Sequence, residues 1–308
     1  MKILVLGAGG VGGYFGAKLM RAGADVTFVL RDKRRRLIQE HGLSIEAPND
    51  SFTVFPRCVT SEELAPDYDL IMLAPKSYDF ADALSSIAGA SSKGAILPFL
   101  NGLNHIALLD QRFGRRRVLG GVAHIAATLT ATGAVRRLTA LHSLTAGHRH
   151  ADHESIAREF IAQCADADFD SHYSDDIEQV LWDKWVFLAT LAGMTTLFQG
   201  TVGEIVATPY GAALARKFHD ECCAIADRCG YPVNQSSRDK ALAMLTEPGS
   251  AFTSSMLRDM KAGQRTEHEH ILGEMVRRGI EHHVACDLVA MAYTRMAVSS
   301  PNLSQGGT

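Results

Sequence analysis

The sequence predicts an α/β fold, an N-terminal Rossmann-type doubly wound sheet followed by an all-α C-terminal domain. Three observations carry that expectation. Short continuous apolar runs alternate with helix-length segments through the first half, as in a parallel sheet buried on both faces. A glycine-rich turn joins the first run to the first helical segment. Beyond about residue 175, strand-like runs almost vanish and helical periodicity takes over.

Taken in order, residues 3–6 (Ile-Leu-Val-Leu) read as a buried strand, and residues 11–21 as a helix that Gly23 stops. Residues 26–30 are a second buried strand. Further strands are expected at 70–74, 95–97 and 118–122, with segments between them long enough for helices. Residues 134–145 and 168–173 read as later strands, the first antiparallel from its alternating polarity. Helices are then expected at 177–197, 210–229, 236–244, 254–278 and 285–298; Pro209 suits a helix start and Gly230 a helix stop. The expected division is a Rossmann-type half over residues 1–173 and an all-helical half over 174–308. The tail, residues 301–308, is polar and glycine-rich and is expected to fray.

Composition narrows the function classes. A chain of 308 residues with 46% hydrophobic and 21% charged residues is ordinary globular material, sized for two domains. A net charge of −3 offers no general attraction for nucleic acid or an anionic membrane, and no basic stripe carries interleaved aromatics. The apolar run near Met1 ends after five residues in Gly7-Ala8-Gly9-Gly10, too short for a signal peptide, so a cytoplasmic protein is expected. Six cysteines form no disulfide framework; Cys222, Cys223 and Cys229 share one helical segment and read as reduced thiols. His148, His150 and His153, or His268 and His270 around Glu269, are spaced poorly for a metal, and none is expected. No nucleophile elbow supports hydrolysis.

Gly7-Ala8-Gly9-Gly10-Val11-Gly12 fits the G-x-G-x-x-G pattern directly after a strand and at the opening of a helix. Gly7 permits the tight turn, Gly9 lets the backbone approach a pyrophosphate, and Gly12 lets helix and strand pack closely. The phosphates would meet free N–H groups at the helix N-terminus. Arg31 follows the second strand, where NAD-binding proteins usually carry an acid for the ribose 2′-hydroxyl. An arginine there suits a 2′-phosphate, and NADP is expected. Asp32, one residue late, is the counter-signal for NAD. Lys33, Arg34, Arg35 and Arg36 add positive charge but singly read as a solvated helix start.

Several separated motifs stand out along nearly the whole chain. They are Met-Lys-Ile-Leu-Val-Leu-Gly-Ala-Gly-Gly-Val-Gly-Gly at the start, Leu30-Arg31, Ala74-Pro75-Lys76, Asn101-Gly102, and Trp182-Asp183-Lys184. The most specific is Ser254-Ser255-Met256-Leu257-Arg258-Asp259 followed by Gly263, Arg265, Thr266 and Glu267. Together they resemble the ketopantoate reductase (2-dehydropantoate 2-reductase) family over nearly the whole chain, and the resemblance implies NADPH-dependent reduction of a small 2-oxo acid in pantothenate biosynthesis. It makes Lys76 and Asn101 residues of the cofactor cleft, with Asn101 also at the substrate, and Ala127 the small residue near the nicotinamide. Glu267 would contact the cofactor ribose or support catalysis, Lys184 would be the proton donor, and Ser255 would hold the substrate carboxylate.

The residues add their own weight. Lys184 lies among Val180, Leu181, Phe187 and Leu188 at helical spacing, so it either snorkels to solvent or sits desolvated with a lowered pKa, as suits a general acid. Lys76 follows a strand at its carboxyl end, where ligands of open α/β sheets collect; otherwise it is a surface lysine. Asn101 is equally readable as a plain turn residue, and Glu267 as a surface acid. On one straight helix Ser255 and Glu267 would stand about 18 Å apart, so they cannot both touch a small substrate unless the helix breaks, and Gly263 offers the break.

The chain departs from the family at the substrate. Leu188, Ala192, Val202 and Phe252 stand where the family carries Asn. Loss of those amides should penalise a hydroxylated substrate, so a more apolar 2-oxo acid is expected beside 2-dehydropantoate itself. The alternatives are a related hydroxy-acid dehydrogenase and a non-catalytic NADP(H) sensor. A small-molecule substrate and a homodimer are the expected partners.

Overall fold

Strand β1 (Lys2–Leu6) is buried from Ile3 onward and sends alternate side chains into two separate cores. Ile3 and Val5 join one cluster, Leu4 and Leu6 the other. That is why the sequence reads as an unbroken apolar run: both faces of the strand are covered. The computed structural model describes residues 1–90 and 93–299; the tail expected to fray, residues 301–308, lies outside them.

The chain divides into two compact units, Met1–Leu100 with His105–Val180, and Asn101–Asn104 with Leu181 onward. In the first unit, β1 lies between β2 (Asp25–Val29) and β6 (Leu70–Leu73), with β5 (Arg57–Val59) and β7 (Ala95–Pro98) at the edges, in the order β5-β2-β1-β6-β7. The pairings β1–β2, β1–β6, β2–β5 and β6–β7 are all parallel. The order reverses between β1 and β6, which makes their carboxyl ends the switch point of a doubly wound sheet. Helices α1 (Gly10–Arg21), α2 (Asp32–His41), α3 (Phe80–Ser86) and α4 (Asn104–Phe113) follow β1, β2, β6 and β7.

A second, mixed sheet completes the unit. It comprises β3 (Leu43–Glu46), β4 (Phe52–Val54), β8 (Gly120–Leu129), β9 (Val135–Gly147) and β10 (Asp170–Tyr173), with α5 (Glu154–Cys164) leading into β10. Strand β9 is antiparallel to β8, as its alternating polarity predicted, and parallel to β3 and β10. Tyr14, Phe15, Ala17 and Leu19 of α1 share one core with Ile3 and Val5 of the first sheet and with Leu43, Ile45, Val135 and Leu144 of the second.

Residues 118–122, expected as a strand of the parallel sheet, are a correction. Val118 makes only a single parallel bridge to Ile96, and β8 then joins the second sheet. Gly121 permits this departure, since a Cβ there would stand 2.6 Å from the Pro98 carbonyl oxygen. Strands β3, β4 and β5 were not foreseen; each has only three or four residues.

The second unit is helical: α6 (Ile177–Phe198) from Leu181 on, α7 (Val202–Val206), α8 (Gly211–Arg228), α9 (Gln235–Leu245), α10 (Ser255–Lys261), α11 (Glu274–Glu281) and α12 (Asp287–Ser299). The single helix expected at 254–278 is a second correction. Gly263 takes φ +64 and donates its N–H to the Met260 carbonyl, while Gln264 donates to Asp259, the two bonds of a Schellman stop. The chain then runs without regular structure to Glu267 and re-enters helix through a π-helical turn, Glu269–Gly273. Helix α7 was also missed, although Thr201 and Glu204 form a capping box that the sequence displays. Among the described residues no helix is long and apolar enough to cross a membrane.

Candidate active site

The glycine turn is built as an anion seat. Gly7 takes φ +91, a conformation that only glycine adopts without strain. A Cβ on Gly12 would collide with the Gly7 carbonyl oxygen and stand 3.2 Å from Val5, so the helix can approach the strand only because Gly12 is bare. Gly9 is the N-cap of α1 and supplies no side-chain acceptor, and the first turn of α1 carries no acid. Its opening N–H groups therefore meet no anion from their own helix. Gly10 faces Ala127, whose carbonyl oxygen would lie 3.1 Å from an added Cβ. Ala127 follows a register shift in β8, so an irregular strand delivers this small residue to the turn. Ala127 thus stands against Gly10 in the turn formed by Gly7, Ala8, Gly9, Gly10, Val11 and Gly12.

Arg31 caps the start of α2 from the end of β2, and its side chain is 76% exposed beside Asp82 at 3.5 Å. Lys76 is exposed just beyond β6 and opens a short 3-10 turn, Ser77–Asp79. Both follow carboxyl ends of strands next to β1. The basic run after Arg31 is less uniform than the sequence suggested. Arg34 is half-buried and donates to the Ala8 carbonyl at 2.9 Å and the Gly133 carbonyl at 2.7 Å. Arg35 instead pairs with Asp32 and Glu63.

In the helical unit, the Trp182-Asp183-Lys184 motif sets the rotation of α6. Trp182 stacks on Tyr231 with ring centroids 5.4 Å apart, and the Arg278 guanidinium lies 5.2 Å from the Trp182 ring. Asp183 accepts a 3.0 Å hydrogen bond from the Ser237 hydroxyl. The fully buried Trp185 donates its indole N–H to the Ile271 carbonyl in the π-helical turn at 3.1 Å. With its neighbours pinned, Lys184 is half-buried and pushed down to about 8 by desolvation, while the Glu267 carboxylate acts in the opposite sense. Glu267 itself is only 9% exposed. A buried acid and a desolvated amine within electrostatic reach can hold and deliver a proton.

Asn101 joins the same group through a residue the sequence had dismissed. The His270 ring hydrogen-bonds to the Asn101 backbone and feels Glu267. A Cβ on Gly102, at φ +75, would stand 2.8 Å from the His270 carbonyl oxygen and 2.9 Å from its ring. Burial holds the His270 imidazole below its usual range, which favours the neutral ring. The spacing of His268 and His270 spoke only against a metal; nothing in it pointed to Asn101.

Ser254 is a buried N-cap, its Oγ accepting from Leu257 N at 3.0 Å and lying 2.8 Å from the Thr195 hydroxyl. Ser255 opens α10 with its side chain exposed. The Gly263 break removes the straight-helix separation expected between Ser255 and Glu267. Of the positions where Asn was expected from resemblance, Ala192 and Val202 are buried, Leu188 is half-buried, and Phe252 stacks on Phe187 at 6.3 Å, both half-buried. Lys184 and Glu267 lie within electrostatic reach of each other, His270 links Glu267 to the Asn101 backbone, and separately the glycine turn meets Ala127.

Comparison with known proteins matches both halves of the chain. The model of ketopantoate reductase PanE/ApbA matches residues 3–150, and that of its C-terminal part, ketopantoate reductase PanE/ApbA C terminal, residues 176–298. The oxidoreductase YkpB of Bacillus subtilis is 31% identical over 96% of this chain and 98% of its own. The 2-dehydropantoate 2-reductase of Archaeoglobus fulgidus is 30% identical over 92% of this chain and 93% of its own. Among solved structures, the 2-dehydropantoate 2-reductase of Geobacter metallireducens superposes with a TM-score of 0.88 at 27% identity, covering 97% of this chain and 100% of that one. A D-mandelate dehydrogenase solved with NADH and anilino(oxo)acetate superposes with a TM-score of 0.87 at 21% identity over 97% of this chain and 98% of that one, a likeness of fold.

Proposed function

The chain belongs to the ketopantoate reductase family, and from that premise we propose that it reduces the keto group of a small 2-oxo acid with NADPH. The observation that carries the reading is Lys184, desolvated to a pKa of about 8 on an apolar helix and paired electrostatically with a buried Glu267. At neutral pH its ammonium is protonated, and its charge favours the carbonyl oxygen as negative charge develops there. It then gives its proton to that oxygen. Asn101 orients the reacting groups, and Ser255 offers a hydroxyl for the substrate carboxylate. Glu267 steadies the Lys184 charge.

The cofactor fits the residues present: an uncapped helix start, a turn made of glycines, Arg31 exposed for the 2′-phosphate, and Lys76 exposed for the cofactor cleft. When bound, the nicotinamide supplies the hydride that reduces C2 of the substrate. Gly7, Ala8, Gly9, Gly10, Val11 and Gly12 take the pyrophosphate on backbone N–H groups, and Ala127 leaves room beside them. The proposed division is a cofactor half over residues 1–173 and a catalytic half over 174–308, in a cytoplasmic homodimer.

Apolar Leu188, Ala192, Val202 and Phe252 favour a 2-oxo acid with an apolar side chain over 2-dehydropantoate, whose hydroxyl would lose its partners. They also favour the second reading, a related hydroxy-acid dehydrogenase. NADPH oxidation across a panel of 2-oxo acids tests both. Lys184→Ala should lower kcat about a hundredfold or more with NADPH binding unchanged; retained turnover would refute the role of Lys184. A panel with no turnover at all, alongside intact NADPH binding, would favour a dinucleotide sensor.

A further inference from the structure

We propose that Arg34 is a positioning residue for the pyrophosphate turn, serving NADPH and NADH alike, and distinct from Arg31. The proposal rests on the reading that a dinucleotide sits on Gly7–Gly12. Arg34 lies three residues into a basic run, yet it faces inward, with its guanidinium bridging two backbone carbonyls. One belongs to Ala8 inside the glycine turn, the other to Gly133 in the turn between β8 and β9. Gly133 takes φ +85, and a Cβ there would stand 2.6 Å from the Arg34 Nη1 atom, so that turn is shaped around the guanidinium.

Peptide planarity gives the contact its consequence. The Ala8 carbonyl and the Gly9 N–H belong to one rigid peptide and point in opposite directions. A guanidinium that holds the carbonyl therefore fixes the bearing of the Gly9 N–H, in a turn whose glycines would otherwise sample many conformations. Gly9 is also the N-cap of α1, so its peptide orientation sets how the first free N–H groups meet a phosphate. The planar fork suits this bridge; a lysine could satisfy only one carbonyl at a time in that geometry. Arg31, by contrast, is exposed at the end of β2 and suits the 2′-phosphate that NADPH alone carries.

The test is direct binding of NADPH and of NADH, read by nucleotide fluorescence, to the full chain and to Arg34→Met, Arg34→Lys and Arg31→Ala. Arg34→Met should weaken both dinucleotides by a similar factor, about tenfold or more. Arg34→Lys should recover part of that loss for both, and Arg31→Ala should weaken NADPH selectively. Arg34→Met binding as tightly as the parent, with its far-UV spectrum unchanged, overturns the proposal. So does a loss confined to NADPH. If Arg34→Met fails to fold, Arg34→Lys decides: an equal intermediate loss for both supports the role, and parent-like affinity overturns it. A parent chain that binds neither dinucleotide refutes the cofactor reading instead.

Discussion

A lysine ammonium taken out of water loses hydration that one carboxylate replaces only in part. Lys184 shows both effects, burial drawing its pKa down to about 8 and Glu267 drawing it up. The sign of the kinetics follows. Below about 8 the ammonium is present, and in the proposed role of proton donor it makes reduction lose rate as pH rises through that value, while the reverse oxidation gains. Glu267→Gln removes the group that raises the pKa, and the descending limb should move to lower pH; a limb that stays in place or moves up would separate Glu267 from Lys184. The same lysine bears on stability. Between about 8 and its ordinary 10.5 the unfolded chain holds the proton and the folded chain does not, so its contribution to stability rises with pH across that window. At pH 7 the folded state carries the charge at a cost, and Lys184→Met should raise the melting temperature by a few degrees while removing activity.

Elements decide whether such residues meet. The helix expected at 254–278 would have carried Glu267 away along its axis; Gly263 and the irregular 264–267 segment free it from that axis. Gly102→Ala tests the other arm of the cluster. It combines a left-handed φ with a contact on the His270 carbonyl, so about 2 kcal/mol of stability should be lost, with a raised KM from a displaced Asn101. A denaturant midpoint and a KM equal to the parent's would contradict it. These cases show what a sequence reveals at this scale. Strands β1, β2, β6 and β7 were legible because burial on both faces makes them nearly continuous apolar runs, with Thr27 of β2 the buried polar exception. Strands β3 and β4 alternate polarity over too few residues to establish a period, and the Gly263 break depends on φ, which a lone glycine announces weakly. The residues of the glycine turn were readable because their spacing is a backbone requirement. His270 and Arg34 were not, because each acts through a carbonyl far away in the chain.

For the whole molecule, one unit carries a dinucleotide-type turn at the switch point of a parallel sheet, and the other carries a desolvated lysine among helices. Membership of the ketopantoate reductase family joins them in one reaction class. Specificity is a separate matter, which the proposed reading assigns to Leu188, Ala192, Val202 and Phe252. Phe252→Asn with Leu188→Asn should shift the ratio of kcat/KM values toward hydroxylated 2-oxo acids by about tenfold; an unchanged ratio would move specificity to other residues. The most direct single measurement is the NMR titration of the Lys184 side chain, set against the pH profile of NADPH-dependent 2-oxo acid reduction. The side chain should titrate near 8, and the kinetic limb should fall at the same pH. Titration near the ordinary 10.5, or a limb that does not follow it, would contradict the assignment of Lys184 as the proton donor.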